Sequence, residues 1–136
     1  MGLTDHIFLV LPRPPSSNER AAVAPVTSKK TGKRKYRIIS SDEQKRWMEE
    51  AGWQLKIQKM KGLGQIKGPY RIDFLVEPMA RKADVWNYEK LTSDLLVAHE
   101  IVEDDHLAEG GTIWWDRTGE VKGISVSITA MEREDV

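Results

Sequence analysis

The chain has no cysteine among its 136 residues, which excludes disulfides and thiolate zinc centres. No apolar run approaches the ~20 residues that a membrane-spanning helix needs. The N-terminus has no basic segment leading into a long apolar stretch. A cytoplasmic protein without a membrane partner is the expectation. Net charge is also missing: 21 Lys and Arg against 21 Asp and Glu sum to zero, a poor balance for a chain that grips a polyanion over its whole surface.

The charges are unevenly distributed. Residues 13–37 carry Arg13, Arg20, Lys29, Lys30, Lys33, Arg34, Lys35 and Arg37 against the lone acid Glu19. Residues 77–105 carry Glu77, Asp84, Glu89, Asp94, Glu100, Glu103, Asp104 and Asp105 against Arg81, Lys82 and Lys90. A basic arm beside an acidic pocket suits a protein that holds phosphates and a cation. A hydrophobic content of 40% in 136 residues supports one small core, so residues 1–136 form a single domain, with 132–136 a frayed charged tail.

Patterning supplies the elements. His6 to Leu11 is a short apolar run bounded by Pro12 and reads as a buried strand. Ala21 to Thr27 and Lys35 to Ile39 are strand-like around the basic tip Lys29-Lys30-Thr31-Gly32-Lys33-Arg34, a hairpin arm suited to phosphate contact. Ser40 or Ser41 caps a helix from about 41 to about 60, with Trp47, Ala51 and Leu55 on its inner stripe, Trp53 as a second core anchor and Gly52 permitting close packing. Gly62 to Gly68 lacks the Gly-Lys-Ser/Thr ending of a phosphate loop and reads as a connection. Tyr70 to Glu77 alternates, with Tyr70, Ile72, Phe74 and Val76 facing inward. Residues 100–109 read as loop, Thr112 to Trp115 as a strand, Asp116 to Gly119 as a hairpin turn, and Val121 to Met131 as the last strand. His99 and His106 flank Asp104 and Asp105 without a spacing that marks a transition-metal site. The fold class is therefore α+β: a small mixed or antiparallel sheet of about four or five strands, with two main helices packed on one side.

The stretch from Asp84 to Asp105 is the chemical centre of the sequence. A carboxylate opens it, an amphipathic helix fills it and an Asp pair closes it. Asn87, Lys90, Asp94 and Val97 fall on one helical stripe, and Leu91, Leu95 and Ala98 on the neighbouring core-facing one. If the chain folds back after His99, Asp104 and Asp105 return to the end that carries Lys90. Clustered carboxylates beside a lysine suit Mg²⁺-assisted phosphoryl chemistry. The same residues also suit plainer roles: a helix-terminal carboxylate, an i,i+4 surface pair and loop acids.

Asp84-Val85-Trp86-Asn87-x-x-Lys90-x-x-x-Asp94-Leu95-Leu96, followed by Val102-Glu103-Asp104-Asp105, resembles the signature of the RusA family of Holliday-junction resolvases. Leu11-Pro12-Arg13-Pro14-Pro15-Ser16-Ser17-Asn18 resembles that family's N-terminal turn, so the likeness touches both halves of the chain. It implies a RusA-like fold and a dimeric, Mg²⁺-dependent endonuclease that cuts four-way DNA junctions. It implies Asp84, Lys90 and Asp105 as catalytic residues. Asp84, Asp104, Asp105 and Glu77 would be the metal-ligand set, with Asn87, Asp94 and Trp86 in support. Arg13, Asn18, Arg20, Lys29, Lys30, Lys33, Arg34, Lys35, Arg81 and Lys82 become candidate DNA contacts. The chain departs from the family pattern at Trp86, which stands where the family has a second Asp. An indole cannot ligate Mg²⁺, so Glu77 is the candidate replacement. If the segment is extended, residues 84 and 86 face the same side. Two alternatives accompany the resolvase expectation: a non-catalytic branched-DNA-binding module, and a Mg²⁺-dependent nuclease on unbranched DNA.

Overall fold

The computed structural model describes residues 4–15, 42–79 and 83–131 with their side chains, and residues 21–27 and 34–40 as backbone. Its elements are β1 His6–Leu11, β2 Ala21–Thr27, β3 Arg34–Ser40, α1 Asp42–Met60, β4 Tyr70–Val76, α2 Glu89–Ala98, β5 Ala108–Trp115 and β6 Ile124–Ala130. Short 3₁₀ turns at Val85–Tyr88 and Asp105–Leu107 precede α2 and β5. Four strands form one mixed sheet in the order β1-β6-β4-β5. The β1–β6 and β6–β4 pairs are antiparallel and β4–β5 is parallel. β2 and β3 pair separately as an antiparallel hairpin, with Ala21 opposite Ser40 and Thr27 opposite Arg34. The class is α+β, as expected.

The period-2 pattern sets which face is buried. Tyr70, Ile72, Phe74 and Val76 on β4 are buried, and Ile124, Val126 and Ile128 on β6 lie beside them. β1 buries Ile7, Leu9 and Leu11 but leaves Phe8 and Val10 exposed. That corrects the expectation of a fully buried strand, because β1 is an edge strand and only one of its faces meets the core. The inward residues of the sheet join Trp47, Ala51 and Leu55 of α1 and Leu91, Leu95 and Leu96 of α2 in one hydrophobic cluster. Full burial of each large side chain contributes about 1.5–3 kcal/mol.

α1 follows its sequence pattern except at Trp53, which is 62% exposed rather than a core anchor. Six residues beyond Trp47, it lies about 240° around the helix and points away from the core. Trp47 is buried, and its Nε1 donates to the Pro12 carbonyl at 2.8 Å. Gly52 faces α2: a Cβ there would lie 2.9 Å from His99 Nε2, so the glycine allows the two helices to approach.

Asp116 to Gly119 does not form a hairpin. β4 lies between β5 and β6, so this connection crosses the end of β4 instead. Asp116 organises it, accepting from Thr118 N, Thr118 Oγ1 and Val121 N at 3.1, 2.6 and 2.8 Å. Gly123, at φ +89°, passes so close to Leu11 that a Cβ would lie 2.1 Å from its carbonyl oxygen. β5 begins at Ala108, four residues earlier than its pattern suggested. Glu109, Gly110 and Gly111 carry no strand signal of their own, and their extended form comes from pairing with β4 across a register irregularity at Tyr70/Arg71. Among the described residues no helix is long and apolar enough to cross a membrane.

Candidate functional site

Asp84 starts the site segment in extended conformation, φ −88° and ψ 124°, and its carboxylate accepts from Trp86 N at 3.1 Å. That bond caps the 3₁₀ turn, after which α2 runs from Glu89 to Ala98. Leu91 and Leu95 are buried as the stripe required; Ala98 is exposed, and Leu96 takes the inner place expected of it. Inside the helix Thr92 Oγ1 donates to the Tyr88 carbonyl at 2.9 Å, and Ser93 Oγ to Glu89 Oε1 at 2.7 Å. The chain reverses after His99 through Glu100, at φ +58°. Ile101 N returns to the Leu96 carbonyl at 2.9 Å, and Val102 bridges to Ile66. Asp104 then caps the second 3₁₀ turn, accepting from His106 N at 3.3 Å.

This reversal brings the two halves of the motif together. Lys90 Nζ donates to Asp94 Oδ1 at 2.9 Å and to Asp105 Oδ2 at 3.1 Å, across 15 residues in the second case. Both acceptors favour the charged ammonium, so the Lys90 pKa rises, with Asp94 the stronger influence and Asp105 next. Asp104 lies beside them with His106 Nδ1 at 3.1 Å from its Oδ1. Hydrogen bonds from the His106 ring and amide, and then from Asp105, hold its carboxyl below the usual range. Counting Lys90, Asp94, Asp104 and Asp105 at their ordinary charges leaves the cluster net negative.

Tyr70 forms a further wall. Its ring is in the core, while its hydroxyl donates a long hydrogen bond to the Asp104 carbonyl at 3.5 Å. Burial first, then the charges of Asp105, Glu89 and Asp104, push its pKa up to about 12. It is therefore a protonated donor at neutral pH. The alternation of β4 assigned Tyr70 to the core. The overlooked signal was its hydroxyl, which must find a partner when the ring is buried.

Other candidate residues lie elsewhere. Glu77 follows the C-terminal end of β4, whereas the Asp104 carbonyl meets the Tyr70 hydroxyl and Tyr70 begins the strand. Roughly 20 Å of extended backbone separates Tyr70 from Glu77. Glu77 Oε1 accepts from Gly123 N at 3.1 Å. Arg13 Nη1 donates to the Glu77 carbonyl at 2.8 Å and lies 3.9 Å from its carboxylate, so it ties the β1 exit to the end of β4. Asn18, Arg20, Lys29, Lys30, Lys33, Arg81 and Lys82 lie outside the described residues, and Arg34 and Lys35 open β3 as described backbone.

Trp86 sits in the 3₁₀ turn rather than in extended chain. Asp84 is extended but Trp86 is not, and the Asp84 carboxylate folds back to cap Trp86 N, so the continuous extended segment that would put residues 84 and 86 on one side is not formed. The indole is 64% exposed. It lines a groove of about 350 Å³ along β5, together with Gly111, Thr112, Ile113, Trp114 and Trp115. Tyr88 packs edge-on against Trp115, with ring centroids 5.7 Å apart.

The donor chemistry can be tested against Mg²⁺. Among the described residues no three His, Cys, Asp or Glu side chains converge as a metal cage. Mg²⁺ is commonly held by one or two carboxylates plus substrate phosphates. Asp104 and Asp105 are consecutive, exposed hard-oxygen donors of that kind. They fit a cation shared with a bound phosphate rather than one enclosed by protein. No protein-family model matches the chain, and no curated protein matches it in sequence.

Proposed function

We propose that this chain is a Mg²⁺-dependent, structure-specific DNA endonuclease of the RusA type. It acts in the cytoplasm as a homodimer on four-way junctions in recombination and repair. The observation that carries the proposal is the Lys90 bridge to Asp94 and Asp105. Residues that the motif spaces far apart in sequence meet at one exposed point, beside a second carboxylate from Asp104.

Asp104 and Asp105 would hold the cation together with a DNA phosphate, with Asp84 supporting from the entrance to α2. When bound, Mg²⁺ supplies Lewis-acid polarisation of the phosphoryl oxygens and lowers the pKa of water. The protein residues provide the rest. Asp94 fixes Lys90 from the next helical turn. Lys90, kept protonated, offers a cation to the phosphate as charge develops on its oxygens. The net-negative cluster repels a phosphate by itself, so DNA engages it only when a cation balances the charge. Arg20 and the basic arm around Lys29, Lys30, Lys33, Arg34 and Lys35 supply backbone affinity, as Lys and Arg clusters do for phosphates.

A labelled four-way junction and a linear duplex of the same sequence, each incubated with and without Mg²⁺, test the proposal. The expected result is cleavage of the junction alone, and only with Mg²⁺. Equal cutting of the duplex would replace the junction reading with a general nuclease. A second reading is favoured by Trp86, an indole where the RusA pattern has a second carboxylate: a branched-DNA-binding module without cleavage. Binding of the junction with no product at any Mg²⁺ concentration would select it.

A further inference from the structure

The outward side of α1 carries features that the Lys90 site does not use. Between Ala51 and Ile72 the sequence has Lys56, Lys59, Lys61, Lys67 and Arg71 and no Asp or Glu. In the C-terminal half of α1, Trp53, Ile57 and Met60 are exposed by 62%, 49% and 87%. Their i, i+4, i+7 spacing makes one stripe pointing away from the core. Three large apolar side chains on one exposed stripe mark a binding surface rather than a random scatter.

The cations sit beside this stripe. Lys56 Nζ is 5.1 Å from the centre of the Trp53 ring. Lys59 Nζ donates to the His99 carbonyl at 2.7 Å, which fixes it at the junction of α1 and α2. Burial first, then the charges of Lys56 and Lys59, lower the His99 pKa. Glu49 and Glu50 precede Trp53 by one turn. They close the patch on its N-terminal side and would repel a polyanion running along the whole helix.

We propose that Trp53, Lys56 and the adjoining Lys59 and Lys61 bind a short single-stranded nucleic-acid segment, with a base stacked on the indole and its phosphates facing the lysines. Charge selects the partner: the apolar stripe is bordered by cations, and no acid occurs from Ala51 to Ile72. The ring selects the single strand, because a duplex keeps its base faces stacked inside. The short extent follows from the Glu49 and Glu50 boundary. The surface contains no residue of the Lys90 cluster, so it stands or falls separately from cleavage.

The test uses the full chain in EDTA, with a fluorescent oligo-dT and a matched duplex as probes and anisotropy as the readout. Wild type should bind oligo-dT more tightly than duplex in the Lys90→Ala background as well, where cleavage is removed. Trp53→Ala should weaken oligo-dT binding about tenfold, within the range of a lost stacking contact. Trp53→Phe should keep most of the affinity. Lys56→Ala should flatten the plot of log affinity against log salt by about 0.7. Circular dichroism checks that these surface variants fold, and Lys56→Ala keeps the question open to test should Trp53→Ala misfold. Unchanged oligo-dT affinity in both alanine variants would overturn the proposal. So would efficient displacement of oligo-dT by polyglutamate or phosphatidylserine vesicles, together with no distinction between Trp53→Phe and Trp53→Ala. That outcome would identify a general anion surface or a site for an acidic protein or membrane.

Discussion

At the C-terminal end of β4, Glu77 and Asp116 turn their carboxylates toward backbone amides: Gly123 N for the first, Thr118 N and Val121 N for the second. At the other end, Asp105 meets a lysine ammonium, and Asp104 carries an exposed imidazole and amide. Both ends are acidic, and Glu77 shares with Asp104 and Asp105 the stretch 77–105 that sequence alone treats as one acidic pocket. The difference lies in Asp105: Glu77, Asp116 and Asp104 each accept from a backbone amide, and Glu77 has the Lys122 ammonium 3.9 Å away as well, whereas Asp105 accepts from the Lys90 ammonium. A carboxylate occupied by buried or turn amides holds the chain in place. One paired with a solvent-exposed cation can exchange that partner for a phosphate or a metal ion. Composition finds acids; their donors decide what each acid does.

The sharpest way to break this comparison is to neutralise one carboxylate at each end. Asp105→Asn should reduce junction cleavage by roughly 10²–10³, the scale of a lost transition-state electrostatic contact, while junction binding is retained or tightened. Glu77→Ala should leave cleavage within about twofold, because Glu77 lies at the other end of the strand, and should cost about 1 kcal/mol of stability through the lost bond to Gly123 N. Single-turnover cleavage and urea unfolding measure the two effects. Cleavage lost in Glu77→Ala, with stability unchanged, would mean that Glu77 belongs to the reacting site and that the two ends are not distinct.

The next effect is smaller and depends on pH. Hydrogen bonds hold the Asp116 carboxyl below the usual range, with the Thr118 hydroxyl the largest influence and the Val121 amide next. A carboxyl whose folded pKa is depressed contributes stability that is present above its unfolded pKa and is lost as pH falls through the folded value. The ordinary Asp value is 3.8, so this contribution is intact at pH 6 and lost progressively below about pH 4. Asp116→Asn should therefore lower Tm at pH 6 and show a shallower further decline on acidification than wild type. Parallel Tm-against-pH curves for the two proteins would separate the turn's stability from the ionisation of Asp116. Lys90 has the opposite sign. Its raised pKa keeps its contribution intact at neutral pH, where its partners are carboxylates, and that contribution is lost as pH rises past the ordinary lysine value of 10.5.

The legibility of this chain divides along the same line. β4 and α1 were readable because local periodicity and burial agree, and β1 was readable in its extent though not in its burial: His6–Leu11 and Asp42–Met60 fall within a residue or two of their patterns. Lys90, Asp94 and Asp105 were readable as a group because the helical spacing and the expected reversal after His99 are both local signals. The fate of Glu77 was not readable. It depends on where Gly123 arrives, 46 residues later, and only the placing of β6 next to β4 determines that. The first half of β5 was hidden for a similar reason, since Glu109-Gly110-Gly111 is extended only by virtue of its neighbour β4. Trp53 was misassigned because a tryptophan reads as a core residue wherever it occurs, whereas its angle on α1, counted from Trp47, places it outside.

The smallest expected effect concerns Trp86, at the Lys90 end. If residues 84 and 86 were on extended chain, Trp86→Asp would place a second carboxylate beside Asp84 and lower the Mg²⁺ concentration needed for half-maximal cleavage. Trp86 instead lies in the 3₁₀ turn that the extended Asp84 caps, and its indole lines the groove along Gly111 to Trp115 and the cavity beside Glu89 and Ala108. A carboxylate introduced there faces strand β5, whose residues line both cavities that Trp86 borders. Trp86→Asp should therefore leave the Mg²⁺ midpoint within about twofold of wild type, since no ligand is added. Removing the indole should alter only the groove, because Asp84 caps the turn through the backbone amide of residue 86, which the substitution retains. A Mg²⁺ titration of junction cleavage by both proteins decides the matter. A midpoint lowered tenfold or more would mean that this turn rearranges on binding DNA and brings residue 86 round to the metal. The acidic end would then be assembled by its substrate, in contrast to the end held by Glu77 and Asp116.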